Sequence, residues 1–382
     1  MRVVVSVHGR YHGFDLANEL QRAGVLSRLL TTYPAPVARR FLAPGIKLRT
    51  SPLLELRRRV WDRFGVGGKP DVAIAEAFGR FALKAGIAET DVLVGWSSAL
   101  LEAIHPAQAE GVKVVVERGS SHIAHQTEVL RNEYEAFGLT PDLADPRMIE
   151  RELAEYDAAD AITVPTSFAA QTFIERGIPP EKLIVNPYGV DLARFQPPAE
   201  RPRRDKPRIL FVGRVGLRKG VPHLLRAFRR LEGAAELHIV GPLESGIEDI
   251  LAAEGGEGVT VTGPVPGNAL PAIYAEADIF CLPSLEEGFA LVLLQAMAAG
   301  LPLVTTDAAG GAEAIGSGDR GLLVPAGDAT ALAEALATLT ADADRRRAMG
   351  EAARTAAQTG FSWRDYGDRA VAAYRNLGGV PA

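Results

Sequence analysis

Apolar residues along this chain fall mostly in short continuous runs rather than in strict alternation with polar ones. Val3–Val7, Val92–Trp96, Val114–Glu117, Ala161–Val164 and Leu183–Asn186 occupy the first half. Arg208–Val212, Glu236–Val240, Val259–Thr262, Asp278–Leu282, Pro302–Thr305 and Gly321–Val324 occupy the second. Runs of this length, rich in β-branched residues, predict strands buried on both faces. Amphipathic stretches between them, such as Leu224–Leu231 and Ala331–Thr338, predict helices. Strands alternating with helices imply parallel sheets covered by helices. Two such series predict an α/β chain of two Rossmann-like, doubly wound domains.

The two series are separated by residues 195–207, a stretch rich in proline and charge with no apolar periodicity. It reads as a linker between a first domain, 1–194, and a second, 208–363. A chain of 382 residues is long enough for two such cores. The single cysteine, Cys281, lies in an apolar run and reads as a buried, inert thiol. The first residues read as a strand, too short and too β-branched for a signal peptide, and no apolar run approaches the roughly 20 residues that cross a bilayer. The expected location is therefore cytoplasmic. A net charge of -5 argues against a nucleic-acid partner. The seven histidines are scattered, and no spacing points to a metal site or calls for a cofactor.

One segment departs from this acidic background. Residues 39–69 carry nine basic residues (Arg39, Arg40, Lys47, Arg49, Arg57, Arg58, Arg59, Arg63, Lys69) against Glu55 and Asp62. Leu53, Leu56, Val60, Trp61 and Phe64 interleave with them. A basic, aromatic, amphipathic stretch suits peripheral contact with an anionic membrane face or an anionic, lipid-linked acceptor; the plainer reading is a solvated helix docked on its own domain.

Two polar clusters follow predicted strand ends, where open α/β sheets bind ligands. Gly213-Arg214-Val215-Gly216-Leu217-Arg218-Lys219-Gly220 combines a glycine-rich turn with cations suited to a phosphate. Its spacing is neither a dinucleotide fingerprint nor a P-loop. Pro283-Ser284-Leu285-Glu286-Glu287-Gly288-Phe289-Ala290 leads into a helix predicted from about Phe289 to Ala299. Glu286 and Glu287 then stand at a helix entrance, where acidic residues offset the helix dipole or grip sugar hydroxyls. Gln295 follows Glu287 by eight positions, a little over two helical turns.

These clusters resemble glycosyltransferase family 4, which includes bacterial group 1 glycosyltransferases. The resemblance implies the GT-B arrangement, two Rossmann-like domains facing a cleft. It implies a retaining, metal-independent transfer of a sugar from a nucleotide-diphosphate sugar, in UDP or GDP form, to an acceptor hydroxyl, as in cell-surface glycan or glycolipid synthesis. It assigns Arg214 and Lys219 to the diphosphate and Glu287 to the donor sugar. Gln295 stands where the family has a second glutamate on the ribose. Its amide oxygen still accepts a hydrogen bond, without the strength of a carboxylate. Gly213, Glu286, Gly288, Phe289 and Ala290 join the donor site, and Gly263, Pro264 and Val265 resemble the segment that meets the base. In the first domain, Gly9 and Gly13 in the loop His8-Gly9-Arg10-Tyr11-His12-Gly13 resemble a phosphate-facing loop, with His8 and His12 as weaker candidates. His122 resembles the family histidine that reaches the donor sugar, with His125 as its competitor. Pro187-Tyr188-Gly189-Val190-Asp191 resembles the family turn before the linker, with Tyr188 replacing asparagine. The tail, 364–382, resembles the helix that crosses back to the first domain. Other readings are a GT-B nucleotide-sugar epimerase, a weakly active sugar-nucleotide-binding homologue and, last, an oxidoreductase.

Overall fold

A computed structural model describes residues 1–382 apart from 66–68, 88, 203 and 378–382. The first domain holds a parallel sheet of β1 (Val3–Val7), β2 (Leu26–Thr31), β3 (Leu48–Thr50), β4 (Val92–Trp96), β5 (Lys113–Glu117), β6 (Ala161–Val164) and β7 (Leu183–Val185). Its order is β3-β2-β1-β4-β5-β6-β7. The second holds β8 (Arg208–Val212), β9 (Glu236–Val240), β10 (Val259–Thr262), β11 (Ile279–Leu282), β12 (Leu303–Thr306) and β13 (Gly321–Val324), in the order β10-β9-β8-β11-β12-β13. Every pairing in both sheets is parallel. Both are doubly wound, and each reverses its winding between its first and fourth strands. That switch point opens a crevice at the strand ends.

The central strands are continuous apolar runs because helices cover both faces; β1, β4, β6 and β11 are buried along their whole length. Two strands are absent from the sequence expectation. In β2, Ser27 and Arg28 interrupt the apolar run, and the first three residues are only half-buried. β3 is a three-residue edge strand, Leu-Arg-Thr, with no run to detect.

The helix Trp363–Leu377 packs on the helix Gly13–Arg22 of the first domain. Arg22 pairs with Asp368, Arg369 Nε donates to Asn186 Oδ1 at 2.9 Å, and Asn186 Nδ2 donates to the Tyr366 carbonyl. The chain end thus clamps the first domain after leaving the second. Asp342, in an Asp-Ala-Asp triplet, caps the helix Ala343–Gly360 by accepting from the Arg345 amide.

Candidate functional site

The loops after β1, β4 and β5 face those after β8 and β11 across the crevice. They enclose an inner cavity of about 490 Å³, whose lining includes His12, Trp96, Arg118, Ser120, Tyr188, Arg218, Lys219, Glu287, Phe289 and Ala290. An outer cavity of about 710 Å³ shares Tyr11, His12 and Leu291 with it and adds Arg10, Asp15, Arg194 and Gln295.

Lys219 and Glu287 meet in the inner cavity, Nζ to Oε1 at 2.6 Å, with both side chains mostly buried. The helix Leu291–Ala298 begins just beyond, and Phe289, Ala290, Leu291 and Val292 line the same wall. The first amides of a helix have no partner within it and carry its positive dipole end. One wall therefore offers a lysine, a carboxylate and free amides together, a fit for a diphosphate joined to a polyhydroxyl group.

Each cation here already has an anion. Lys219 has Glu287, Arg118 has Glu152 at 2.8 Å, and Arg218 has Glu286 at 2.8 Å and Glu287 at 3.6 Å. An incoming anion would compete with Glu287 for Lys219. Among the described residues, no three or more His, Cys, Asp and Glu group to hold a metal ion.

The cleft is closed by a carboxylate from the second domain. Glu286, fully buried, accepts from Ser120 Oγ at 2.6 Å, Ser121 Oγ at 2.6 Å, the Ser121 amide at 3.1 Å and Gln126 Nε2 at 2.9 Å, besides Arg218. Burial by itself would raise the Glu286 pKa; the Arg218 guanidinium and the serine hydrogen bonds outweigh it and hold it at about 2. Gly288 lies against Gly119, where a Cβ would collide with the Gly119 carbonyl. Thr166 Oγ1 donates to the Gly288 carbonyl at 2.8 Å, and Glu133 meets His223 at 2.8 Å, so the contact continues on both sides.

These observations carry a family. The description Glycosyl transferases group 1 matches residues 194–356, the second domain with its linker. That domain belongs to the group 1 glycosyl transferases. Relatives include a D-inositol 3-phosphate glycosyltransferase of Corynebacterium urealyticum, 33% identical over 68% of this chain and 66% of the relative. An MMP alpha-(1->4)-mannosyltransferase of Mycolicibacterium hassiacum is 35% identical over 56% of this chain and 53% of its own length. The chain thus spans between about half and two thirds of these relatives' lengths. Among solved structures, a sucrose-phosphate synthase from Thermosynechococcus elongatus superposes with a TM-score of 0.71 at 21% identity, covering 99% of each chain. HepE of Anabaena in complex with UDP gives 0.68 at 15% identity, covering 98% of this chain and all of that one. Both likenesses are of fold, and the fold is GT-B.

Against this group 1 architecture the expected site residues separate. Lys219, Glu287, Phe289 and Ala290 line the inner cavity. Arg214 is solvent-exposed beside the loop and lines neither cavity. Gly213 turns the chain with φ +159°. Gly9 and Gly13 are buried under the first-domain loop; a Cβ on Gly13 would press on Trp96 and Val7. Gly263, Pro264 and Val265 follow β10 at the surface, away from both cavities.

Three expectations are corrected. Glu286 is saturated by five donors and lines neither cavity, so it holds the domains together rather than facing a donor. His122 does not reach the cleft. Its Nδ1 accepts from the Ala124 amide at 3.2 Å as a helix cap, its ring packs on Tyr156 and Phe173, and burial with Arg176 and Arg118 pushes its pKa down to about 4. The helix expected from about Phe289 starts only at Leu291, so Glu287 lies on the loop ahead of it rather than at its entrance. Gln295 lines the outer cavity instead, its Oε1 accepting from Tyr274 at 3.0 Å.

Other residues of the cleft were not assigned from sequence. Arg218 stands in the cationic run, but the hydrogen bond it donates to Ser120 Oγ of the first domain, at 3.1 Å, was invisible without the fold. Ser120, Ser121 and Gln126 carry no motif of their own. His12 was weighed, but its partner Glu117 lies 105 positions away.

Proposed function

We propose that the protein transfers a sugar from a nucleotide-diphosphate sugar to an acceptor hydroxyl, with retention at the anomeric carbon and without a metal ion. The observation that carries the reading is the shared inner wall of Lys219, Glu287 and the N-terminus of the helix Leu291–Ala298. Lys219 and the amides offset charge growing on the departing diphosphate, where such donors act most strongly. Glu287, once displaced from Lys219, accepts from sugar hydroxyls. Retention is carried over from the resemblance to family 4. The name of the inositol 3-phosphate relative favours a hydroxyl of a phosphorylated polyol as acceptor.

A nucleotide-sugar screen by thermal shift in EDTA tests the reading, because a ligand specific to the folded state raises its stability by mass action. A UDP- or GDP-sugar is expected to raise Tm and to lose its nucleotide when the acceptor is added. Binding that appears only with added Mg²⁺ or Mn²⁺ would contradict metal independence.

We further propose that the first domain docks on an anionic membrane surface. No helix among the described residues is long and apolar enough to cross a membrane. The helix Pro52–Phe64, however, exposes Leu53 by 76%, Leu56 by 57%, Val60 by 46% and Phe64 by 68% along one stripe, with Arg57 and Arg63 flanking it. Its inner face is tied to the domain by buried Glu55, which accepts from Thr32 Oγ1 at 3.2 Å and pairs within the helix with Arg58 and Arg59 at 2.9 Å each. Each free arginine near an anionic surface contributes about 1 kcal/mol, decaying over a Debye length. Vesicles rich in phosphatidylserine are expected to bind the protein at low salt; equal binding to neutral vesicles, or none, refutes the electrostatic part.

A further inference from the structure

The second domain carries a further cavity, of about 870 Å³, away from the cleft. Asp278 and Pro302 in its wall stand just ahead of β11 and β12, so it opens at the opposite end of that sheet. The linker closes one side with Pro197, Pro198 and Arg201, and the helix Ala343–Gly360 closes another.

Four arginines line this cavity, Arg201, Arg346, Arg347 and Arg354, against two carboxylates, Asp278 and Glu351. Arg347 pairs with Asp344, and Asp278 Oδ2 accepts from the Arg208 amide at 2.8 Å. Among the described residues the other three arginines are held by backbone carbonyls and by no carboxylate. Arg346 Nη1 donates to the carbonyls of Leu339 at 2.5 Å and Thr340 at 2.8 Å. Arg354 Nη1 donates to the carbonyls of Phe195 at 3.0 Å and Ala298 at 2.5 Å. Arg201 spends both terminal nitrogens on the carbonyls of Ala277, Ala299 and Gly300. Burial pushes the Arg201 and Arg354 pKa values down, and only Arg201 has a nearby carboxylate, Asp278, to offset it.

A guanidinium presents five N–H donors, and the edge made by Nε and Nη2 is a fork that meets two oxygens of a carboxylate or phosphate. The carbonyl bonds of Arg346 and Arg354 occupy Nη1 alone. The Nε–Nη2 edge of each is therefore unused among the described residues, on a group whose orientation is already fixed. Gly350 lies midway between them, about one helical turn from each. A Cβ there would collide with the Gly300 carbonyl, so the helix lies flush on the loop after Leu291–Ala298 and the two arginines straddle that contact. Two fixed forks with an unneutralised charge in one recess suit an oxyanion, and the cavity has room for more than the ion itself.

We propose that this cavity is a second ligand site, which takes a phosphate group, as the free ion or as the monoester of a small metabolite, on the unused edges of Arg346 and Arg354. It is separate from the cleft and does not depend on the transfer reading. Arg354 ties Phe195, where the linker starts, to Ala298, which ends the helix whose N-terminus lines the inner cavity. The occupant therefore sits on the joint between the domains.

The test titrates orthophosphate and glucose 6-phosphate into wild type, Arg346→Gln, Arg354→Gln and Arg347→Gln. Calorimetry is run at constant ionic strength, in EDTA and with saturating UDP, and chloride serves as the control anion. Hydrogen exchange with and without each probe locates binding whether or not UDP fills the cleft. Slowed exchange is expected in 195–201, 298–302 and 343–355. Arg346→Gln is expected to weaken binding by about 10- to 100-fold, as for loss of a charge-assisted contact, with UDP affinity within threefold of wild type. Arg354→Gln is expected to do the same, and Arg347→Gln, whose arginine already has Asp344, to change little. If Arg354→Gln loosens the linker and lowers stability, Arg346→Gln still decides the matter. Orthophosphate bound with glucose 6-phosphate excluded makes the free ion the occupant; binding of both makes the site open to a monoester. No binding of either probe, protection confined to the cleft, an effect matched by chloride, or affinity unchanged in Arg346→Gln overturns the proposal. Failure of UDP to bind overturns the transfer reading instead and leaves the exchange result standing.

Discussion

Replacing Glu286 by glutamine keeps its shape and removes its charge, at the point where the second domain inserts into the first. Oε1 takes three hydrogen bonds from Ser120 and Ser121, so the glutamine carbonyl belongs on that side. Its NH₂ then faces Gln126 Nε2, formerly at 2.9 Å, and Arg218 Nη2, formerly at 2.8 Å, donor against donor. Gln126 can turn its amide over only by setting an NH₂ against Arg118 Nη2, whose bond its Oε1 accepts at 2.9 Å, and Arg218 has no acceptor to offer. The Glu286 carboxyl is held at about 2 against an ordinary 4.5. A shift of that size corresponds to roughly 3 kcal/mol favouring the folded, charged state. Removing one partner of a buried pair costs a similar amount, about 3–5 kcal/mol. Because the folded pKa is depressed, this contribution is complete above about pH 4.5 and is lost as the pH falls toward 2. Urea unfolding of wild type and Glu286→Gln between pH 7 and 3, paired with small-angle scattering, measures it. The variant is expected to be less stable by roughly 3 kcal/mol at pH 7, with an expanded radius of gyration from the opened cleft and a gap that narrows with acid. A gap below about 1 kcal/mol at pH 7, or one that does not narrow, refutes the latch.

Lys219→Ala is expected to lower kcat by about 30- to 1000-fold, the roughly 2–4 kcal/mol of a lost transition-state donor, with a smaller rise in donor KM; steady-state kinetics that show only a raised KM contradict this role. Gly288→Ala places a methyl group on the Gly119 carbonyl, so scattering is expected to show separated domains and turnover is expected to fall, while nucleotide affinity of the second domain changes little. Gln295→Glu is expected to tighten UDP or GDP binding about tenfold, by the gain from a neutral to a charge-assisted hydrogen bond on a ribose hydroxyl; calorimetry showing no change removes Gln295 from the ribose site.

The architecture was legible because buried parallel strands are unbroken apolar runs, and eleven of them stood out with their ends within about a residue or two. β2 and β3 escaped for the same reason, since Arg28 breaks one and three edge residues make the other. In the site, Lys219 and Glu287 were readable from their motifs, though their contact spans 68 positions and exists only because β8 and β11 are neighbours. His122 misled because a helix begins just after it, at Ile123, and its ring caps that helix instead of reaching the cleft. The residues that face the cavity after β5 are Arg118, Gly119 and Ser120. Glu286 misled because adjacent loop residues point to opposite sides: Glu287 into the cavity, Glu286 into the domain contact. Spacing along the chain carries no information about that choice.

The central claim is that a nucleoside diphosphate sits on the second-domain wall of the inner cavity. A crystal structure of the protein grown with UDP or GDP in EDTA tests it most directly. The account predicts the diphosphate at the N-terminus of the helix Leu291–Ala298, hydrogen-bonded to Lys219 Nζ, with Glu287 released from that lysine. A diphosphate bound elsewhere, or a Lys219–Glu287 pair left intact beside a bound nucleotide, would contradict it.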